Sequence, residues 1–127
     1  MNDGKFDQIR RKMLEHIRHT MEYCGNVTEE EFLLNRMLQE ACIFNVLQVG
    51  ELAAKVIEYH LDQEHPEMMW RQMRGMRNRI VHDYEGIRLG IVWDTIQHDF
   101  PDPVIRVLGW YDCFFVALLN WFFQYFL

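Results

Sequence analysis

Residues 6–25 read FDQIRRKMLEHIRHTMEYCG. Phe6, Ile9, Met13, Ile17, Met21 and Cys24 recur there at steps of three and four residues, the period of one face of an α-helix. Gly25 follows as a C-terminal stop, since glycine closes helices without a Cβ penalty. Just beyond, Thr28-Glu29-Glu30-Glu31 has the form of a capping box, in which threonine hydroxyl and glutamate carboxylate satisfy opposed backbone donors. It opens a second helical segment expected to run to about Gln63. Phe32, Leu33, Met37, Leu38, Ala41, Cys42, Leu47, Val49 and Leu52 are its apolar positions, and Gly50 is a place for it to bend.

Pro66 suits the first turn of a third helix, where a missing N–H is not needed. That helix should reach His82–Tyr84, with Gly86 marking a turn. A shorter helix around Leu89–Gln97 is expected to stop before Phe100-Pro101-Asp102-Pro103, whose two prolines make a firm break. A final apolar helix would fill about Val104–Leu127. No segment alternates with a period of two, so no sheet is expected. The reading is an all-α bundle of about four to five helices.

At 127 residues the chain is long enough for one domain, 1–127, and too short for two ordinary ones. Half of it is hydrophobic and 14% aromatic, which supports a packed core and excludes a disordered chain. The 13 Lys and Arg against 19 Asp and Glu give a net charge of −6. A surface basic all over is thereby excluded, and any contact with nucleic acid must come from a local patch. Cys24, Cys42 and Cys113 are an odd set without metal-ligand spacing, so neither a disulfide framework nor a zinc site is expected. Three thiols behind a polar N-terminus fit a reducing cytoplasm.

The basic patch lies between Arg71 and Arg88. Five of the 13 basic residues fall there, Arg71, Arg74, Arg77, Arg79 and Arg88, opposed only by Asp83 and Glu85. All are arginines, whose planar charged forks suit phosphate oxygens, although a run of this kind is commonly a solvated helix face. His82 sits within it and Tyr84 two residues on. The other histidines, His16, His19, His60, His65 and His98, read as surface residues in polar company. Met68, Met69, Met73 and Met76 read as core or dimer packing.

Gly75-Met76-Arg77-Asn78-Arg79-Ile80-Val81-His82-Asp83-Tyr84 resembles the signature of the HEPN superfamily, an arginine followed after four to six residues by a histidine. More narrowly, Arg77-Asn78-x-x-x-His82-x-Tyr84 looks like the HepT-like toxins. Val49-Gly50-Glu51, His65-Pro66-Glu67 with Trp70-Arg71, and Ile91-Val92-Trp93-Asp94-Thr95 agree in order, so the likeness spans about residues 5–105. The resemblance implies an antiparallel helical bundle working as a homodimer, with two Arg/His motifs facing each other across the interface. It further implies a metal-independent endoribonuclease toxin without a cofactor. Its partner would be a minimal nucleotidyltransferase antitoxin that silences it by transferring AMP to the motif tyrosine, here Tyr84.

The chemistry of the residue types agrees. Metal-free RNA cleavage needs a base for the 2′-OH, an acid for the leaving 5′-oxygen and a cation for the charge on phosphorus. Imidazole, with an ordinary pKa of about 6.5, serves as acid or base near neutrality, and guanidinium stabilises developing negative charge. His82 and Arg77 are therefore the catalytic candidates. Asn78 and Glu51 are supporting candidates, and Arg71, Arg74 and Arg79 the RNA-binding ones. Asp83 beside His82 is equally readable as a modulator of the imidazole or as a solvated helix-end charge. Five helical residues turn about 140° and rise about 7.5 Å, so Arg77 and His82 of one chain do not share a face, whereas Arg77 and Tyr84 nearly do. Two motif copies across a dyad would supply a separate acid and base. Arg77 could instead pair with a carboxylate of the second helix. The alternative function is a non-catalytic helical module that docks a nucleotidyltransferase or binds nucleotides.

The C-terminal stretch departs from the family. Seventeen of the 21 residues from Val107 to Leu127 are apolar, with Asp112 the only charge. The length could span a bilayer, but Arg106, Gly109, Asp112, Asn120 and Gln124 form a narrow polar stripe that fits burial in the bundle or an oligomer better. A membrane location is not expected.

Overall fold

The computed structural model describes residues 2–101; the expected terminal helix, with Asp112 and Cys113, lies outside them. Five α-helices follow in order: α1 (Asn2–Cys24), α2 (Glu29–Leu34), α3 (Arg36–Glu58), α4 (Trp70–His82) and α5 (Leu89–Asp94). A 3₁₀ turn, Asp62–Glu64, links α3 to α4, and α5 runs on into a π-helical turn, Thr95–Asp99. No strand occurs among the described residues. None of the described helices is long and apolar enough to cross a membrane.

The long helix α3 is the centre of the bundle. Its Cys42, Ile43, Val46, Val49, Leu52, Ala53 and Val56 are buried between α1 and α4. From α1 come Phe6, Ile9, Met13, Leu14 and Ile17. Lys5 lies over the Tyr59 ring, His16 bonds Asn45 and Cys24 meets Cys42, so rising numbers in α1 meet falling numbers in α3 and the two helices are antiparallel. Phe32 of α2 is fully buried, its ring 5.2 Å from that of Trp93 in α5. Burying such a side chain is worth roughly 1.5–3 kcal/mol, enough to hold a six-residue helix that could not form alone.

Several expected boundaries move. Gly25 does follow α1, and the Thr28 capping box is formed: the Glu31 N–H donates to Thr28 Oγ1 at 3.1 Å and the Thr28 N–H to the Glu31 carboxylate at 3.3 Å. The segment it opens is not continuous to Gln63. Asn35 adopts an extended conformation (φ −114°, ψ 95°) and caps α3 by accepting the Leu38 N–H at 3.1 Å. Leu33 and Met37 consequently face solvent. At the other end α3 stops at Glu58 because His60 takes a left-handed φ of 58°. The Leu61 N–H then reaches Val56 O and the His60 N–H reaches Ile57 O, the hydrogen-bond pair of a Schellman closure. In α1 the buried residue is Thr20, its hydroxyl donating to Ile17 O at 2.7 Å, while Met21 is exposed.

Pro66 does not begin α4. It occupies a turn in which the His65 carbonyl accepts the Met68 N–H, and the helix starts at Trp70. The reading of all five remaining histidines as surface residues also fails for three, His16, His19 and His65, of which half-buried His19 stacks on the Tyr23 ring at 6.1 Å. The half-buried His65 ring stacks on Phe6 at 4.0 Å. The half-buried His16 lies 2.9 Å from the Oδ1 of the buried Asn45. Asn45 donates its amide to Ala41 O, leaving Oδ1 to accept from the imidazole. Of the methionines, Met68 is buried and Met73 and Met76 pack on the core, whereas Met69 is exposed.

Candidate active site

The motif lies on α4, and two contacts fix that helix. At its start the Trp70 indole N–H donates to the His65 carbonyl at 2.8 Å, and the ring meets Phe6 edge-on. At its middle α4 crosses α3 at Gly50. A Cβ built there would lie 2.7 Å from the Met73 carbonyl oxygen and collide with the Arg77 side chain. Gly50 is thus not the bend expected of it. It sits within an unbroken helix and lets the two backbones approach.

This approach sets Arg77 beside Glu51, one residue on. Arg77 Nε lies 3.6 Å from Glu51 Oε1, close enough to attract and too long for a hydrogen bond. The Nε is itself buried and donates to no hydrogen-bond partner among the described residues. Glu51 is 43% exposed and Arg77 26%, so water screens much of the attraction. The pairing of Arg77 with a second-segment carboxylate, one of the two readings of this residue, is the arrangement in the single chain.

The rest of the motif faces away. Arg71, Asn78 and His82 are exposed, at steps of seven and four residues on one side of α4, and Arg74 borders them half-buried. Arg79 is exposed on a neighbouring face. No contact joins His82 to Arg77: His82 has no side-chain hydrogen bond or ion pair among the described residues. Asn78 shares its face but forms no bond to it. Arg77 and His82 therefore occupy different sides of the helix, as their spacing predicts.

Tyr84 corrects the spacing argument. Helix α4 ends at His82, so Tyr84 does not continue the Arg77 face; it stands 48% exposed in the following turn. That turn is built by Asp83, whose backbone N–H donates to Arg79 O at 2.9 Å and whose carboxylate accepts the Gly86 N–H at 3.1 Å. The Asp83 carboxylate is thus committed to the turn and not to His82. Tyr84 borders a cleft of about 280 Å³ with Arg36, Glu40 and Ile43 of α3. On the other side of the turn a cleft of about 440 Å³ is lined by Arg79, Arg88 and Met76. Among the described residues no group of three or more His, Cys, Asp or Glu could hold a metal ion.

This placement, one arginine against α3 and an exposed histidine at the end of α4, coincides with a family match. The profile described as "Ribonuclease HepT-like" covers residues 13–106. The chain belongs to the HepT-like family. A Thermococcus cleftensis protein named "Probable ribonuclease HepT" is 33% identical over 87 residues, covering 68% of this chain and 78% of that one. A Methanocaldococcus jannaschii protein named "Putative RNase" is 27% identical over 95 residues, 75% of this chain and 78% of its own. One of Caldanaerobacter subterraneus with the same description is 28% identical over 96 residues, 72% and 85%. No solved structure matches.

Within this HepT-like chain, Gly50 and Trp70 are the positioning residues whose use the sequence did not disclose. Gly50 reads in the sequence as a place for the helix to bend because its neighbour, Arg77, is 27 positions away. Trp70 reads in the sequence only as a flank of the motif.

Proposed function

We propose that this HepT-like chain is a metal-independent endoribonuclease, the toxin of a toxin–antitoxin pair, working as a homodimer. The observation that carries the reading is the exposed His82 at the end of α4, without a side-chain partner among the described residues, in a motif inside the family match. A single copy supplies one imidazole, with its arginine on another side of the helix. Two copies meeting across a dyad supply two imidazoles, one to take the 2′-OH proton and one to protonate the leaving 5′-oxygen. Arg77, oriented by Glu51, stabilises charge on the phosphorane. Asn78, one helical turn before His82, positions it or the substrate. Arg71, Arg74 and Arg79 hold flanking phosphates by bidentate contacts. The antitoxin is a minimal nucleotidyltransferase, and the exposed Tyr84 hydroxyl accepts its AMP. The products are a 2′,3′-cyclic phosphate and a 5′-OH.

The test is incubation of wild-type and His82→Ala protein with total and transfer RNA in EDTA, with end-group analysis. Cleavage by the wild type alone, leaving cyclic phosphate, supports the reading. Fragments ending in 3′-OH refute the mechanism.

A second reading has one observation in its favour. Arg77 is engaged with Glu51 and turned from His82, as suits a helical module that docks a nucleotidyltransferase or binds nucleotides without cleaving RNA. Intact RNA after exposure to unmodified dimer, with partner binding retained, would select it.

A further inference from the structure

Cys24 ends α1 and Cys42 lies in the first half of α3, with sulfurs 3.4 Å apart. Both are free thiols, exposed by 2% or less. We propose that they form a modification site: an intramolecular Cys24–Cys42 disulfide, made by hydrogen peroxide and reversed by thiols. The inference does not depend on the ribonuclease reading.

A disulfide needs its sulfurs at about 2.05 Å, so the two atoms must close by little more than an ångström. No helix has to cross another, because antiparallel packing already brings the side chains together. The pair is also polarised. The contact with Cys24, aided by burial, pushes the Cys42 thiol up, whereas the same contact lowers Cys24 despite its burial. Cys24 is therefore the attacking sulfur and Cys42 the resolving one.

The steps balance. Cys24 sulfur attacks peroxide oxygen: an S–O bond forms, the O–O bond breaks, hydroxide leaves, and Cys24 becomes a sulfenic acid. Cys42 sulfur then attacks that sulfur: the S–S bond forms, the S–O bond breaks, and a second hydroxide leaves. The two thiol protons convert both hydroxides to water, so two thiols and one peroxide give one disulfide and two waters. Burial selects a small oxidant. The way in is the turn after α1, where the Val27 N–H donates to Cys24 O at 3.2 Å and opening frees the last helical turn. The cross-link closes a covalent loop around α2 and so restrains Phe32 where it packs on Trp93.

The full chain is treated with hydrogen peroxide, unfolded with N-ethylmaleimide to block remaining thiols, digested and mapped by mass spectrometry. The expected result is a linked peptide pair containing Cys24 and Cys42 in the monomeric chain, released by dithiothreitol. The thermal midpoint should rise by roughly 5 °C or more and return on reduction. Alkylated Cys24 and Cys42 after peroxide, sulfinic acid at either without a linked pair, or a cross-link to Cys113 or to another chain would overturn the proposal. Cys24→Ala and Cys42→Ala should each abolish the linked pair. The wild-type peptide map decides the matter even if either variant fails to fold.

Discussion

A methyl group added at Gly50 meets the Met73 carbonyl oxygen at 2.7 Å and the Arg77 side chain. One at Gly75, in the middle of α4, meets nothing within 4 Å among the described residues. The same substitution therefore has opposite signs at the two sites. Gly75→Ala gains up to about 1 kcal/mol of helix propensity. Gly50→Ala has that gain too, but overpacking against backbone outweighs it and leaves a net loss of about 1–2 kcal/mol. Urea unfolding with an unchanged slope reads both, and a Gly50→Ala protein as stable as Gly75→Ala would refute the close approach. His16 gives a second test. Removing it as His16→Ala leaves the buried Asn45 oxygen without its donor, at a cost of about 1–2 kcal/mol, where a surface histidine would cost nothing measurable. Its neighbours in sequence, Glu15 and Arg18, are charged, and that polar company hid its role. The amide it serves is 29 positions away. The motif was recognisable for the opposite reason: Arg77, Asn78, His82 and Tyr84 fall within eight consecutive positions of the chain.

Helix ends divide in the same way between local and distant causes. The Thr28 box closes within four residues, so the sequence shows it whole. The break at Asn35 is also local, but it lies inside an apolar series, Leu33, Leu34, Met37 and Leu38, whose steps continue through it. Periodicity passes over a cap when the helices on either side stay in phase. The end of α3 was hidden because a histidine takes the place glycine usually fills. The closure holds because Leu61 and Val56, the residues flanking it, are both buried. That arrangement carries a prediction. His60 at φ 58° bears left-handed strain that glycine avoids, so His60→Gly should stabilise the protein by up to about 1 kcal/mol, part of the relief being offset by glycine's freedom in the unfolded chain. Thermal denaturation reads it; a fall in midpoint would mean that the imidazole makes a contact of its own. Pro66 misled for a related reason. Its fixed φ suits a tight turn as well as a first helical turn, and what distinguishes them is that the His65 carbonyl accepts from both the Met68 N–H and the Trp70 indole.

An all-helical bundle was evident from spacing, and the family's order of motifs from the residues themselves. On the proposed ribonuclease reading, the single imidazole of one chain cannot serve as acid and base at once. If both histidines of a dimer are needed, one acid and one base, then a mixed dimer of wild type and His82→Ala is inactive. Co-refolded in equal amounts, the two chains assort at random, and only about one quarter of the dimers are wild type on both sides. Activity per total dimer should then fall to about one quarter of the wild-type value. If each chain acts alone, or if one histidine suffices, it falls to about one half or less steeply still. The ratio of wild type to variant can be varied continuously, so a squared dependence on the wild-type fraction separates from a linear one without relying on a single point. A linear dependence would place acid and base within one chain, and the second proton carrier would then have to come from another residue near His82 or from solvent.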